Sequence, residues 1–239
     1  MTGGMQFPTP LIPATLIKRY KRFLADCRLE DGREVTAHCA NPGSMMGLAE
    51  PGMRIWLEPN DDPKKKLKYG WRLVEHADGH FTGVDTSVPN RALKAALEAG
   101  KVAEFAAYSS LRAEVKYGEN SRIDFLLSGD GLPDAYVEVK NVHLLREADW
   151  AEFPDSVTAR GAKHLGELAG MANAGHRAVM LYLVQHTGCA RFKLAEDLDP
   201  TYAAVYRAAR AHGVEMICYT CSISTDEITL SHALPVLVD

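Results

Sequence analysis

The amino-acid sequence predicts a protein of α/β and β class in two parts. A small β-barrel is expected at residues 1–84, followed by an α/β domain with a mixed central sheet at residues 85–239. Short polar–apolar alternations, separated by Asp-Gly and Pro-Gly turns, fill the first part, which is typical of a β-rich domain. After residue 84, helical patterns alternate with strand patterns, which predicts layers of helices on a sheet. A chain of 239 residues is long enough for two modest domains.

The composition is that of an ordinary globular protein, with 46% hydrophobic and 24% charged residues. The net charge of −4 gives no overall sign of nucleic-acid binding, so any such surface has to be local. The sequence has neither an apolar run of membrane-spanning length nor a secretory N-terminal pattern. The five scattered cysteines are therefore expected to be reduced thiols in a cytoplasmic protein. Cys218 and Cys221 have CxxC spacing but no matching second pair, so zinc binding is not expected.

The first part begins with an expected flexible lead-in over residues 1–6, followed by short strands. The predicted strands span residues 14–21, 23–29, 34–38, 54–59, 72–75 and 80–84. This number and spacing of strands suit a small barrel of the OB type, a fold that binds nucleic acid.

Two segments of this barrel are candidate nucleic-acid contacts. The first is a basic run followed by the aromatic residues Tyr69 and Trp71, and it consists of Lys64, Lys65, Lys66 and Lys68. Such a run can follow a phosphate backbone while bases stack on the rings, although a lone charge run is also typical of a solvated loop. The second is the loop at residues 38–45, where Asn41 and Ser44 could donate to phosphate; the alternative is a plain tight turn.

The second part is predicted to follow the order α-β-β-β-α-β-α-β. Its expected elements are a helix at 90–98, a helical turn at 102–108, strands at 111–117, 121–127 and 135–142, a helix at 160–173, a strand at 177–184, a helix at 200–212 and a strand at 214–223. The continuous apolar run at 177–184 is typical of a strand that is buried on both faces. This order implies a mixed sheet with helices on both sides.

The central hairpin, strands 121–127 and 135–142, carries the strongest chemical pattern. With its turn centred near Gly131, Asp124 lies opposite Glu138, and Lys140 follows on the same face. The apolar side chains are expected on the other face, and they are Ile123, Phe125, Leu127, Val137 and Val139.

Two carboxylates directly opposite each other destabilise a strand pair, so something must offset their repulsion. Mg²⁺ does so readily, because it prefers oxygen ligands and is often held by one or two carboxylates. Lys140 could then hold a phosphate oxygen or the attacking water. This chemistry is that of metal-assisted phosphodiester cleavage. The alternative is ordinary surface charge on a solvated hairpin face.

The Asp and Glu-x-Lys pattern on consecutive strands resembles the restriction-endonuclease-like PD-(D/E)xK superfamily. Further motifs resemble the sugar fermentation stimulation protein A (SfsA) family over nearly the whole chain. They are His38-Cys-Ala-Asn-Pro-Gly-Ser-Met45, Glu114-Val-Lys-Tyr-Gly118, Ser121-Arg-Ile-Asp-Phe-Leu-Leu127, Tyr136-Val-Glu-Val-Lys-Asn141, Phe153-Pro-Asp-Ser-Val-Thr158 and Arg160-Gly-x-Lys-His-Leu165. The resemblance implies an OB-like domain, a nuclease-like domain, DNA binding without marked sequence preference, and a regulatory role in maltose use.

The resemblance also implies roles for particular residues. Asp124 and Glu138 carry over as metal-binding acids, with Mg²⁺ or Mn²⁺ as the expected metal, and Lys140 carries over as the catalytic lysine. The further expected DNA contacts are Arg122, Arg160, Lys163 and His164. Many members of the superfamily add an acid from the preceding helix. At that place this chain has Ala95, with Glu98 and Glu104 nearby, so the fourth position stays open.

These patterns predict a cytoplasmic DNA-binding protein with a metal-dependent phosphodiesterase site. A true nuclease that acts on DNA ends, flaps or RNA is one rival interpretation. The other is a regulator that uses the nuclease fold only to bind DNA, since fold and site residues do not fix activity. An intact Asp124, Glu138 and Lys140 set favours catalysis, and the absence of a helix-turn-helix pattern argues against a conventional repressor. The natural substrate and the oligomeric state, a homodimer included, stay open.

Overall fold

The computed structural model describes residues 4–118 and 121–238. Its strands are β1 (Gly4–Gln6), β2 (Ile12–Tyr20), β3 (Leu24–Leu29), β4 (Glu34–Cys39), β5 (Arg54–Pro59), β6 (Tyr69–Glu75), β7 (Phe81–Gly83), β8 (Ser110–Tyr117), β9 (Ser121–Ser128), β10 (Ala135–Val142), β11 (Leu144–Glu147), β12 (Asp149–Phe153), β13 (Arg177–Val184), β14 (Cys189–Leu194), β15 (Glu215–Ile223) and β16 (Glu227–Ala233). Its helices are α1 (Val88–Glu98), α2 (Ala159–Asn173) and α3 (Pro200–Ala211), with a short 3₁₀ helix at Ala103–Phe105.

Strands β2 to β6 form a closed five-stranded barrel, as the alternation of residues predicted. β2 pairs with both β3 and β5, β3 pairs with β4, and β5 pairs with β6. The barrel closes where β4 and β6 run parallel, with His38 opposite Gly70 and Cys39 opposite Trp71. This strand order is that of an OB fold, so the predicted barrel type is confirmed.

The second part is built on a seven-stranded mixed sheet with the order β1-β16-β15-β13-β10-β9-β8. The three central strands, β10, β13 and β15, run parallel, and the strands on either side are antiparallel. One face packs against α1 through residues such as Leu93 and Phe125, and the other packs against α2 and α3 through residues such as Leu165 and Tyr206. The predicted mixed sheet with helices on both faces is therefore confirmed.

The expected flexible lead-in is wrong for residues 4–6. These residues form β1, which pairs with β16 at the edge of the large sheet, with Gly4 opposite Thr229. Met5 is buried in the core of that sheet. The division at residue 84 places these residues in the first domain, whereas their strand belongs to the second sheet. A strand of three residues is too short to produce a visible alternation. Residues 1–3 lie outside the described residues.

The second part also contains strands that the sequence did not predict. β11, β12 and β14 form a separate three-stranded sheet, and β16 extends the large sheet. In the small sheet, the Arg146 guanidinium donates bidentate hydrogen bonds to the buried Glu152 carboxylate, at 2.9 and 2.8 Å. Charged residues inside a strand hide its apolar period, so these strands have a weak signal in the sequence.

The barrel and the large sheet meet at a histidine joint, defined here as His76, His80 and His186. Backbone hydrogen bonds link β7 to the segment after β13, including Gly83 N to Gln185 O at 2.9 Å. The His186 ring lies 5.1 Å from that of His76 and 6.0 Å from that of His80, measured between centroids. The His186 Nδ1 atom accepts from Gly188 N at 2.8 Å. The joint therefore connects the two parts through the buried His186 and the half-buried His76 and His80.

All five cysteine side chains are buried, and none of them forms a disulfide. Burial raises the pKa of the Cys221 thiol to about 12, which keeps it protonated at neutral pH. In the described part of the chain, no helix is long and apolar enough to span a membrane.

Candidate functional site

The hairpin of β9 and β10 has the register that the sequence predicted. Ala135 lies opposite Leu127 and Val137 opposite Phe125, and one further step along the same register places Asp124 opposite Glu138. Gly131, in the turn, has a φ of +73°, a conformation that glycine adopts without strain. The two carboxylates therefore occupy facing positions.

One apolar residue of the hairpin departs from the prediction. Phe125, Leu127, Val137 and Val139 pack in the core on the α1 side, as expected, but Ile123 packs with Leu126 in the core on the α2 side. On the neighbouring strand β8, Glu114 has a φ of +55°. This residue stands between the Ala113–Phe125 and Val115–Ile123 pairs, so the regular alternation is interrupted opposite Asp124.

Both oxygens of the Asp124 carboxylate accept hydrogen bonds. The side-chain amide of Asn90, in α1, donates to Oδ1 at 2.7 Å, and the backbone N–H of Val139 donates to Oδ2 at 2.7 Å. Burial, followed by the nearby charge of Glu138, nevertheless raises the pKa of Asp124 to about 6. Asp124 therefore ionises less readily than a free carboxyl, first because it is desolvated and second because the facing Glu138 repels its charge.

Glu138, which is 3% exposed, has its pKa shifted in the opposite direction to that of Asp124. Its Oε1 atom accepts from Lys140 Nζ at 2.6 Å and hydrogen-bonds His164 Nδ1. Burial acts to raise the pKa of Glu138, but the contacts with His164 and Lys140 outweigh it and hold that pKa below its usual value. The pair therefore contains one firmly ionised carboxylate and one that is half-protonated near pH 6.

The second oxygen of Glu138 fits a metal ligand. Oε2 is buried and has no hydrogen-bond partner in the described part of the protein, and an unpaired buried charge is unfavourable. Within residues 4–118 and 121–238, no group of three or more His, Cys, Asp or Glu side chains is arranged to hold a metal ion. Two carboxylates alone suit Mg²⁺ or a similar hard cation, which keeps several waters when bound.

Helix α2 brings the other expected side chains close to the hairpin. His164 is buried, and its Nδ1 lies 3.2 Å from Lys140 Nζ. Arg160 is exposed one turn earlier and its Nε donates to His164 Nε2 at 3.4 Å. Lys163 is exposed and pairs with Glu167 at 3.5 Å. The helix thus supplies one buried partner to Glu138 and two exposed cations beside it.

The preceding helix α1 contributes Asn90, which sequence reasoning missed. Glu98 pairs with Lys94 on the surface, and Glu104 accepts from the Tyr219 hydroxyl at 2.7 Å, so neither contacts Asp124. An amide in the first turn of a helix resembles an ordinary capping residue in sequence, and only the fold places Asn90 against the carboxylate.

The loop residues Asn41 and Ser44 make contacts within the protein. Asn41 is buried, and its side chain donates to Val84 O at 3.0 Å and accepts from Gly43 N at 2.8 Å. The Ser44 hydroxyl donates to Asp155 O at 3.0 Å, and its N–H donates to Asp155 Oδ2 at 3.1 Å. The loop therefore connects the barrel to the segment before α2, and the Asn41 amide is not available to a phosphate.

The basic run lies on the exposed loop between β5 and β6, apart from the carboxylates. Lys65 and Lys66 line a cleft of about 740 Å³ between the barrel and residues 5–9, to which α1 contributes Arg91. Lys64 is exposed on the same loop, and Lys68 Nζ donates to Asp62 O at 2.9 Å. Arg122 is exposed on β9, where it donates to Glu114 O at 3.2 Å. The predicted cations therefore form two groups, one at the barrel and one around the hairpin.

Comparison with known proteins gives matches over both parts of the chain. A family model described as the SfsA N-terminal OB domain matches residues 17–84, and one described as the sugar fermentation stimulation protein RE domain matches residues 87–227. A sugar fermentation stimulation protein homolog of Ruegeria sp. (strain TM1040) is 74% identical, covering 97% of this chain and 100% of the relative. The homolog of Ruegeria pomeroyi is 70% identical, covering 96% and 100%.

A solved structure is similar as well. It is described as the structure of Pyrococcus furiosus SfsA in complex with Ca²⁺. That protein is 26% identical to this chain and superimposes with a TM-score of 0.86, covering 98% of this chain and 100% of its own.

Proposed function

The chain belongs to the sugar fermentation stimulation protein family, and from its site we propose that it binds DNA and hydrolyses phosphodiester bonds in a metal-dependent reaction. The proposed site consists of Asp124, Glu138 and Lys140. The observation that carries the proposal is the facing pair of carboxylates, in which Asp124 is half-buried with a raised pKa and Glu138 is buried with an unpartnered oxygen. Strongly perturbed carboxyl groups of this kind cluster at functional sites.

Asp124 and Glu138 would hold the divalent cation, with Mg²⁺ or Mn²⁺ as the proposed ion. The structure of the Pyrococcus furiosus relative in complex with Ca²⁺ supports a site for a divalent cation in this chain too. When bound, such an ion would activate water and stabilise negative charge on the phosphate. The proton on Asp124 has to leave before the carboxylate can bind a cation, so binding should strengthen as the pH rises through about 6.

Lys140 is the proposed electrophile of the site. Its ammonium group is 2.6 Å from Glu138 Oε1 and mostly shielded from solvent, so it is held close to the carboxylate pair. A fixed cation in a shielded place stabilises developing negative charge more strongly than one in water. His164 holds Glu138 from the other side and so orients the carboxylate. Arg160, exposed beside His164, is placed to contact a neighbouring phosphate.

The proposed nucleic-acid surface combines the two groups of cations. Lys64, Lys65, Lys66 and Lys68 lie on the barrel, and Arg122, Arg160 and Lys163 lie around the hairpin. Contacts to phosphates carry no sequence information, so binding would show little sequence preference. The proposal places the protein in the cytoplasm with DNA as its partner, and with a regulatory role in sugar, including maltose, metabolism.

A second candidate is a DNA-binding regulator that cuts nothing. The observation that favours it is that the site residues already bind one another and their neighbours. Lys140 and His164 both contact Glu138, and both Asp124 oxygens accept hydrogen bonds. Side chains that are bound to one another in this way resemble a structural ion-pair network. Such networks also perturb pKa values, without any catalysis.

A gel assay separates the two candidates. Labelled duplex, nicked, flapped and single-stranded DNA, and single-stranded RNA, are incubated with Mg²⁺, Mn²⁺ or EDTA. Cleavage with a metal ion that is absent in EDTA and absent in Lys140→Ala supports the nuclease. Binding without cleavage of any form, at any metal concentration, leaves the regulator as the function.

A further inference from the structure

The proposed phosphodiesterase site does not include the cleft between the barrel and residues 5–9, to which α1 contributes Arg91. The volume of the cleft is about 740 Å³, which is in the range of well-formed ligand sites. The residues that matter for its chemistry are His38, Lys65, Lys66, Tyr69, Arg72 and Arg91. The cleft lies beside the barrel loop that joins the last two strands, and OB folds bind oligonucleotides at this loop and at the face formed by their second and third strands.

The unpaired positive charge of the cleft comes from its lysines, because Arg91 pairs with Asp85 at 3.7 Å. The lining also includes two carboxylates, those of Glu58 and Asp61. Arg72 is neutralised by Glu58, whose Oε2 accepts from its Nε at 2.7 Å, and by Asp85. Lys65 and Lys66 are exposed and form no ion pair with any residue that the structure describes. Two unpaired ammonium groups at the rim of a cleft attract phosphate.

Two aromatic rings lie at or next to the cleft: Tyr69 lines it, and Phe23 contacts the lining residue His38. Phe23, 44% exposed, stacks on His38 with a centroid distance of 6.3 Å and an interplanar angle of 16°. Tyr69 is half-buried where the basic loop ends. A large exposed ring next to a basic cleft is a platform on which an unpaired base can stack. In a duplex the faces of the bases are covered by their neighbours, so such platforms select single strands.

The turn that carries Phe23 is strained. Its two central residues, Lys21 and Arg22, have φ values of 49° and 62°, where Gly or Asn is usual. Both side chains are exposed. Left-handed backbone at residues other than glycine is unfavourable and is concentrated at functional positions. Here it places two cations directly before the exposed ring.

Helix α1 has one residue in the cleft and one at the carboxylates. Arg91 lines the cleft, and the preceding residue, Asn90, donates to Asp124 at 2.7 Å. One turn of one helix therefore borders both the cleft and the proposed catalytic site. A strand that lies in the cleft would pass this helix on its way to Asp124.

We propose that this cleft, with Phe23 and Tyr69 as stacking platforms, binds single-stranded DNA and feeds it past α1 to the carboxylate site. The binding function stands on the cleft alone, whereas delivery to Asp124 rests on the proposed phosphodiesterase function. The substrates would then be ends, flaps or gaps with an unpaired strand, rather than intact duplex.

The test is an anisotropy titration in EDTA, where no metal-dependent cleavage occurs. The probes are fluorescein-labelled oligodeoxythymidylate, a blunt duplex of equal length, and oligouridylate. We expect the single-stranded DNA to bind at least tenfold more tightly than the duplex. Phe23→Ala and Tyr69→Ala should each weaken that binding about tenfold, or about 1.4 kcal/mol, and change duplex binding less than twofold. Lys65→Ser with Lys66→Ser should flatten the slope of log K against log salt by about 1.4 for a single strand.

The matched control is Arg112→Ser with Lys116→Ser, which removes the same charge from β8, at the sheet edge opposite β1. This double variant should bind oligodeoxythymidylate as the wild type does. Melting temperatures show whether each variant folds. If Tyr69→Ala unfolds, Phe23→Ala still tests the proposal, because Phe23 is exposed and its loss should leave the fold intact.

Equal affinity for duplex and single strand would overturn the proposal, as would unchanged binding in both ring variants. Oligouridylate bound more than tenfold more tightly than the DNA would overturn the choice of DNA. Because the titration contains EDTA, it measures binding independently of cleavage. A protein that binds single strands here but cuts no DNA in the metal-containing gel assay refutes the nuclease and the delivery to Asp124, and leaves single-strand binding at the cleft standing.

Discussion

The carboxylate site and the histidine joint are both clusters of titratable side chains around a buried group, Glu138 in the first and His186 in the second, but the two buried groups differ in charge. Each contains a buried atom with no hydrogen-bond partner in the described part of the chain, Glu138 Oε2 in one and His186 Nε2 in the other. At the joint, burial, followed by the nearby His76 and His80, lowers the pKa of His186 to about 4, so the ring stays neutral. At the carboxylate site, Lys140 and His164 keep Glu138 ionised.

This difference is the reason for proposing a chemical function for the carboxylate cluster and a structural one for the joint. The joint histidines contact neutral groups: His76 Nε2 lies 2.7 Å from Thr82 Oγ1, and His80 Nδ1 lies 3.0 Å from Thr187 Oγ1. Nothing there requires a charge. Asp124 and Glu138, in contrast, are held together against their repulsion, which contributes nothing favourable to folding. A cluster that retains an unfavourable charge pair is the better candidate for chemistry.

The largest expected contrast is in catalysis. Lys140→Ala should lower the rate of DNA cleavage about a hundredfold or more, as expected when one fixed donor to a reacting oxyanion is removed. Metal binding should persist, because Asp124 and Glu138 remain, and a metal-dependent rise in melting temperature measures it. The matched control is His76→Gln at the joint, where the new side chain can still contact Thr82. It should cleave at the wild-type rate, and an equal loss in both variants would contradict the assignment of Lys140.

The next contrast is in the pH dependence of stability, where the two regions act with opposite sign. Asp124 has a folded pKa of about 6 against 3.8, so its effect on the free energy of unfolding becomes less favourable as the pH rises from about 4 to 6. His186 has a folded pKa of about 4 against 6.5, so its favourable contribution is lost as the pH falls from 6.5 to 4. Each effect is worth about 3 kcal/mol, so in the wild type they nearly cancel.

Single substitutions should reveal the two pH dependences separately when the free energy of unfolding is measured by urea titration between pH 4.5 and 7. Asp124→Asn leaves the histidine effect, so this variant should lose stability on acidification and be at least as stable as the wild type at pH 7. In His186→Asn, the Asn Oδ1 can replace Nδ1 as the acceptor for Gly188 N, and the Asp124 effect remains. That variant should gain stability on acidification. Parallel pH profiles in the two variants would contradict the comparison.

A third contrast is the response to metal ions. Mg²⁺ or Mn²⁺ at a hundred times its dissociation constant should stabilise the folded protein by about 2.7 kcal/mol, a rise of about 5–10 °C in melting temperature for a chain of this size. The rise should be larger at pH 7.5 than at pH 5.5, since a proton on Asp124 competes with the metal. Asp124→Asn should abolish it and His186→Asn should retain it. No shift in the wild type at millimolar metal would remove the metal site from the proposal.

The sequence predicted the carboxylate site far better than the joint. Facing positions for Asp124 and Glu138 follow from the period of two and one turn, which are local properties of about twenty residues. The joint depends on contacts such as His80 to Thr187, which are 107 residues apart in the chain. No spacing rule connects such residues, so histidines that carry no pattern in the sequence meet only in the folded protein.

The same limit explains the other departures from prediction. Ser44 was expected at a phosphate because its loop is polar, but its partner, Asp155, lies 111 residues away. The face of Ile123 was wrong because the irregularity sits on a different strand, at Glu114. Asn90 was missed because α1 and β9 are neighbours only in the fold. Local geometry was predictable, and contacts between elements were not.

The smallest expected effect concerns the exposed cations that border the carboxylate site. Arg160→Ala and Lys163→Ala each remove a surface charge with a weak partner, at 3.4 Å from His164 and 3.5 Å from Glu167. The free energy of unfolding should therefore change by less than about 0.5 kcal/mol. If each residue contacts a phosphate, its loss should flatten the dependence of log K on log salt by about 0.9 for duplex DNA. Arg112→Ala, on the outer edge of β8, is the control and should leave that slope unchanged. A marked fall in the melting temperature of Arg160→Ala would instead assign it to the support of His164, because His164 is buried against Glu138 and a shift of its ring would disturb the whole carboxylate cluster.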